Sequence, residues 1–414
     1  MIAMQNWRIK ISLFLNYFVF AILLNSSGIA IKQVQNNFLV NSQAAAWIDP
    51  CKDLSIAILS FIVASFIVKI GYKRAMLIAL GIVSASCFVI PNVPQFIAIK
   101  ILFVVVGACF ALIKMSVYST IGIITKDSNE HIRFMNFIES FFTVGNFALY
   151  FIFSFYIDNA HPESTTWLKS YYLIGGISII AFLLLLTSTL DESSIQISAT
   201  NLKPDFFDMF KLMMQPLILS FICCAFFYVL IEQSIQNFLP TFNEKVLQLP
   251  SKLSIQMASI LAASYALGRF LAGIVLKKIQ WFYVLISCLI LAAGMVLIAM
   301  PLAQNADGRN ATTWFNAPIA TYIFPLIGLF LAPIYPSINS AILSSLPKAK
   351  HGLMSGLIIV FSAIGGSAGS LITGHIFDAF GGKTAFYFSL IPMTILIICL
   401  TVFKRLQPKS KLSE

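Results

Sequence analysis

The feature that most limits what this chain can become is a series of about twelve apolar runs, each close to the roughly 20 residues that one helix needs to cross a bilayer core. They lie near 11–31, 44–68, 75–91, 96–125, 132–157, 169–190, 212–238, 253–276, 281–303, 315–345, 353–377 and 384–403. In hydrocarbon every backbone N–H and C=O must find a partner, so runs of this length are expected as helices. Two of them, 96–125 and 315–345, exceed one bilayer thickness and are expected to tilt or extend beyond it. Composition agrees: 59% of the 414 residues are hydrophobic and 10% charged, whereas a soluble domain carries about a quarter charged residues. The expected fold class is an all-α integral membrane protein with twelve transmembrane helices.

The net charge of +11 could suggest nucleic acid as a partner, but its distribution argues against this. Arg8, Lys10, Lys69, Lys73, Arg74, Lys126, Arg133, Lys203, Lys211, Lys277, Lys278, Lys348, Lys350, Lys404, Arg405, Lys409 and Lys411 fall in alternate gaps between the runs. The other gaps hold only Lys169, Lys245, Lys252, Arg309 and Lys383. By the positive-inside rule this asymmetry puts both termini in the cytoplasm, which requires an even number of spans. The longest polar stretch, about 191–211, divides the chain into bundles at 1–190 and 212–414, the second ending in a short cytoplasmic tail. Two six-helix halves related by pseudo-symmetry are expected.

Several chemistries find no support in the sequence. There is no Walker loop, and His131, His161, His351 and His375 show no metal spacing. The seven cysteines sit in apolar runs and read as small packing residues. No cofactor and no enzymatic activity are expected. Asn310-Ala311-Thr312 fits a glycosylation pattern, relevant only in a secretory pathway.

Ionisable residues inside the spans carry the functional argument, because a charge at bilayer depth costs about 2.5–3.5 kcal/mol on insertion scales. Asp49 and Asp53 are four apart on one face of span two, with Lys52 beside them and Pro50 in the tolerant first turns. They read either as a self-neutralised, wet outer helix end or as a charged wall near the mouth of a cavity, with Lys32 a further partner. Lys114 lies well inside span four and Glu139 inside span five. They form either a structural ion pair or a solute site in which Lys114 attracts an anionic group and Glu139 carries a proton. On span seven, Tyr228, Glu232, Gln236 and their neighbours recur at helical spacing and read as a polar, cavity-lining face; the alternative is a wet outer end. Asn25 and Ser27 in span one, Tyr265 in span eight, and Tyr335 and Asn339 in span ten are further solute-contact candidates. Proton-coupling candidates are Glu139, Asp49 and Asp53. Gly365, Gly366, Gly369 and Gly374 in span eleven, and Pro318, Pro325, Pro333 and Pro336 in span ten, mark close packing or bending.

Phe66-Ile67-Val68-Lys69-Ile70-Gly71-Tyr72-Lys73-Arg74 resembles the signature loop after span two of the major facilitator superfamily, without its usual acidic residue. Gly268-Arg269 with Lys277-Lys278 resembles the counterpart in the second half. Within the superfamily, Tyr335-Pro336-Ser337-Ile338 and the run Ile364–Gly369 through Phe377-Asp378 resemble the fucose permease branch of sugar–proton symporters, including TsgA-like proteins. The resemblance implies the major facilitator fold, with Lys73, Arg74 and Arg269 as gating candidates. That branch places acids in spans one and four, where this chain has Ser27 and Lys114. The exchange reverses the local field and favours an anionic or zwitterionic solute, such as a carboxylate, a carboxylate siderophore or an amino acid, over a neutral sugar.

The resulting expectation is a proton-coupled secondary transporter in a bacterial inner membrane, working by alternating access as a monomer among lipid. Its partners would be protons and one small solute. A sugar–proton symporter, a drug or metabolite exporter, and a non-transporting membrane sensor or scaffold are the alternatives.

Overall fold

The computed structural model describes residues 2–124, 128–190, 192, 213–276, 278–304, 306–345 and 351–407, and among them every regular element is helical. The chain divides into two compact units, Met1–Lys203 with Ser251–Gln256, and Pro204–Pro250 with Met257–Glu414. Ten helices among the described residues are long and apolar enough to cross a membrane. The remaining two spans are helical as well, Ile48–Ile70 and Ser128–Phe155, but carry charged residues along their lengths. Together they make the twelve-helix arrangement that the apolar runs predict.

The first unit contains α1 (Ile2–Asn25), α2 (Ser27–Phe38), a short α3 (Ser42–Ala46), α4 (Ile48–Ile70), α5 (Tyr72–Val89), α6 (Phe96–Ile124), α7 (Ser128–Phe155) and α8 (Ser170–Leu186). Span one therefore continues past its predicted end at 31, as α1 and α2 separated by Ser26. The hydroxyls of Ser26 and Ser27 donate back to the carbonyls of Leu23 (2.8 Å) and Leu24 (3.4 Å). Such side-chain bonds compete with the helical ladder and bend it. The second unit holds α9 (Pro216–Lys245), most of α10 (Ser251–Val275), α11 (Trp281–Leu302), α12 (Ala320–Ile323), α13 (Ile327–Leu331), α14 (Ile334–Ser344), α15 (His351–Phe380), α16 (Gly382–Phe388) and α17 (Leu390–Leu406). Span ten is broken into α12, a 3-10 turn at Phe324–Leu326, α13 and α14, with Pro325 in the turn and Pro333 between α13 and α14. Proline lacks the N–H that a continuous helix requires, which is the direct cause of such breaks.

Within each unit the same helix pairs close on glycine. In the first, a Cβ on Gly145 of span five would meet the Phe18 carbonyl of span one at 2.7 Å, and one on Gly107 of span four would meet the Lys52 carbonyl of span two at 2.3 Å. In the second, a Cβ on Gly365 or Gly369 of span eleven would meet the carbonyls of Phe226 or Leu230 of span seven at 2.5 and 2.4 Å. One on Gly268 of span eight would meet the Leu329 carbonyl of span ten at 2.3 Å. Lipid supplies no hydrophobic drive between helices, so close backbone approach at small residues is what holds such pairs. The pattern one–five and two–four recurs as seven–eleven and eight–ten, the internal repeat expected of two related six-helix halves.

Candidate functional site

The first unit places its charges in two groups. Asp49, Lys52 and Asp53 lie in the opening turns of α4, where i, i+3 and i, i+4 spacing brings side chains onto one face. The Lys52 ammonium sits 2.9 Å from Asp49 Oδ1 and 3.5 Å from Asp53 Oδ1. It also donates to the Leu24 carbonyl (3.3 Å) and the Ser27 hydroxyl (3.4 Å) at the interruption between α1 and α2. The side chains of Asp49 and Lys52 are 0% and 6% exposed, so this group is not the water-facing helix end that sequence alone allowed. Ser27 is therefore occupied by Lys52, and Asn25 donates to the Ala21 carbonyl (2.8 Å). Lys32, buried on α2, donates to the carbonyl and hydroxyl of Ser251.

Lys114 is the second group. It lies ten residues, or about 15 Å at 1.5 Å per residue, before the last residue of α6. Its ammonium is 5.8 Å from the ring centroid of Phe110, a cation–π arrangement. Phe110 in turn packs on Phe20 and Phe142 at centroid distances of 5.9 and 6.4 Å. Lys114 keeps part of its surface accessible. The side chain of Glu139 lies outside the described residues.

Sequence reading placed Lys73 and Arg74 at the loop after span two, and there the fold supplies the missing acid from elsewhere in the chain. Glu192 accepts the Lys73 backbone N–H through Oε1 (2.7 Å), in the first turn of α5. The Lys73 ammonium donates to the carbonyls of Leu186 (3.2 Å) and Ser188 (2.5 Å) at the end of span six. A carboxylate at a helix N-terminus pairs with an orphan N–H and favours the helix dipole. Gly71, just ahead of this helix, has φ 91°, and a Cβ there would lie 2.5 Å from Glu192 Oε2. Nothing local in the sequence announces this latch, because its partners are more than a hundred residues apart. Arg74 is exposed.

The second unit gathers four of the predicted residues. The Tyr228 hydroxyl, fully buried, donates to Glu232 Oε1 one helical turn on (2.9 Å). The Tyr228 ring stacks on Tyr335 of α14, with centroids 5.6 Å apart and planes 21° from parallel. The Tyr335 hydroxyl is 2.9 Å from that of Ser362 on α15, a partner sequence reading did not single out. Asn339, one turn beyond Tyr335, also hydrogen-bonds it and keeps a buried Oδ1 with no protein donor. Gln236 and Tyr265 are buried on α9 and α10. Arg269 is exposed on α10, and its field reaches Glu232. Asn237 ties α9 to α15 through Ser370 (2.8 Å) and to Gln233 (3.2 Å). Among the described residues no group of three or more His, Cys, Asp or Glu is placed to hold a metal.

The chain belongs to the Major Facilitator Superfamily, whose family model matches residues 13–370 and 311–414. It is thus a multi-pass membrane protein of a transporter family. No curated protein matches it. Among solved structures it is similar to the D-xylose–proton symporter, at TM-score 0.76 and 11% identity over 98% of this chain and 99% of that one. It is similar also to a bacterial homologue of the human lysosomal transporter Spinster, inward-facing and occupied, at TM-score 0.74 and 13% identity over 96% of each chain. The transporter FucP, in its outward conformation, matches at TM-score 0.62 and 17% identity over 97% of this chain and 99% of that one. At these identities the likeness is one of fold.

Proposed function

We propose that the protein is a proton-coupled secondary transporter that carries a small anionic or zwitterionic solute across a bacterial inner membrane by alternating access, with both termini in the cytoplasm. The observation that carries this reading is Lys114, a cation deep in an apolar helix, partly accessible and set over an aromatic ring. An ammonium at that depth costs several kcal/mol unless a polar passage or an anion meets it. A carboxylate solute brings an opposite charge to this ammonium, and the aromatic rings around Phe110 strengthen the pairing by lowering the local polarity. The solved structure named for D-xylose speaks for a neutral solute, but it shares only the fold with this chain.

The test is thermal unfolding of detergent-purified protein against a panel of citrate, succinate, glutamate, xylose and fucose. A ligand at a hundred times its Kd stabilises by about 2.7 kcal/mol. Carboxylates are expected to raise the midpoint in the wild type, and Lys114→Ala is expected to weaken their binding at least tenfold. Stabilisation by the sugars alone, or a carboxylate effect untouched by Lys114→Ala, refutes the reading.

A further inference from the structure

The membrane-embedded acids of this protein differ in one respect that bears on coupling. Asp49 and Asp53 share the Lys52 ammonium, so one cation serves two carboxylates in the folded state. Glu232 has no such partner: among the described residues no lysine, arginine or histidine nitrogen lies within 4.0 Å of its carboxylate. Its one hydrogen bond comes from the Tyr228 hydroxyl, a neutral donor. It sits near the middle of α9, far from either end of a 30-residue helix. From Tyr228 to Asn243 every residue is buried except Glu232 and Gln233, so this acid stays reachable in an otherwise closed stretch.

We propose that Glu232 is the group that takes up and releases the coupling proton. The proposal rests on the proton-coupled reading above and deepens it, moving the coupling role from Glu139, Asp49 and Asp53 to the acid of span seven. An ionised carboxylate without a cation is expensive in a medium of low polarity, and the simplest neutral form is the acid. Tyr228 donates to Oε1, which leaves Oε2 to receive the proton from solvent. On release the same proton returns to solvent and Oε2 is again a carboxylate oxygen, so no other bond changes.

Arg269 on α10 is exposed and lies more than 4.0 Å from the Glu232 carboxylate. Tyr265 on α10 faces Tyr228 electrostatically. The acids, bases and histidines on the helices packed against α9 lie towards helix ends: His351, His375 and Asp378 on α15, Lys383 on α16, Lys404 and Arg405 on α17; besides Tyr335 on α14, Tyr387 on α16 and Cys399 in mid-α17 are the other titratable side chains there.

The experiment uses the purified full chain in lipid and needs no solute, the probe being the proton. Infrared difference spectra between acidic and alkaline buffer are expected to show the C=O stretch of a protonated carboxyl that disappears at high pH. Glu232→Gln is expected to lose that band, and Tyr228→Phe to shift it, because the hydroxyl bond to Oε1 is gone. Asp49→Asn with Asp53→Asn is expected to keep it. A band that survives Glu232→Gln, or is unmoved by Tyr228→Phe, overturns the proposal, and the second variant serves if the first does not fold. The two readings fail separately. Carboxylate binding that survives Lys114→Ala counts against the solute reading, whereas a wild-type spectrum without the band counts against Glu232.

Discussion

Replacing Gly369 by alanine tests whether the close contact between α9 and α15 is set by backbone approach. The new Cβ would stand 2.4 Å from the Leu230 carbonyl oxygen, 3.0 Å from its Cα and 3.0 Å from the Ser234 hydroxyl. Ordinary contact begins near 3.4 Å, so α9 and α15 must part by about 1 Å at this point (3.4 − 2.4). A gap of 0.5–1 Å forfeits roughly a quarter to a half of the dispersion well for each atom pair along the seam. The Ser234 hydroxyl also loses its bond to the Gly369 carbonyl, now 3.1 Å long. Overpacking typically costs about 1–3 kcal/mol, while alanine regains about 1 kcal/mol of helix propensity over glycine. The net is a loss of about 1 kcal/mol. Gly273 on α10 is the matched control, because a Cβ there meets nothing within 4 Å. Gly273→Ala should keep the propensity gain and end about 2 kcal/mol more stable than Gly369→Ala. The assay is thermal unfolding in detergent, followed by tryptophan fluorescence. Equal midpoints for the two variants, or Gly369→Ala above wild type, would refute the reasoning.

Three other outcomes follow from the same geometry. Lys52→Met strips the ammonium from two buried carboxylates and should destabilise the first unit by about 3–5 kcal/mol, with partial recovery when Asp49→Asn and Asp53→Asn are added; an unchanged midpoint would mean that the group is solvated. Glu192→Ala removes the acceptor for the Lys73 N–H and should cost about 0.5–2 kcal/mol, an effect expected to be absent in Arg74→Ala. Arg309, bonded to Asp307 through side chain and backbone, holds that carboxyl below the ordinary aspartate value of about 3.9. A depressed acid stabilises above its unfolded value and loses that contribution as pH falls through its folded one. Arg309→Ala should therefore move the Asp307 titration upward, read by NMR, with little change in stability at neutral pH because the pair is exposed.

Much of the architecture was legible because a bilayer imposes a simple rule on sequence: each span must be long, apolar and internally hydrogen-bonded. The twelve runs, the two halves and the glycine positions of span eleven all follow from local composition. Sequence also flagged Asp49, Lys114 and Glu232 as costly where they stand, since the cost depends on depth alone. What depth cannot reveal is neutralisation. Whether a buried charge meets a partner depends on how each helix is turned about its axis and which neighbour it packs on. Lys52 reaches Asp49, Asp53 and the interruption in span one, while Glu232 meets only a hydroxyl. Glu192 reaches the start of α5 across more than a hundred residues. Those pairings are non-local, so only the tertiary structure decided which acids share a cation and which has none within ion-pair distance among the described residues.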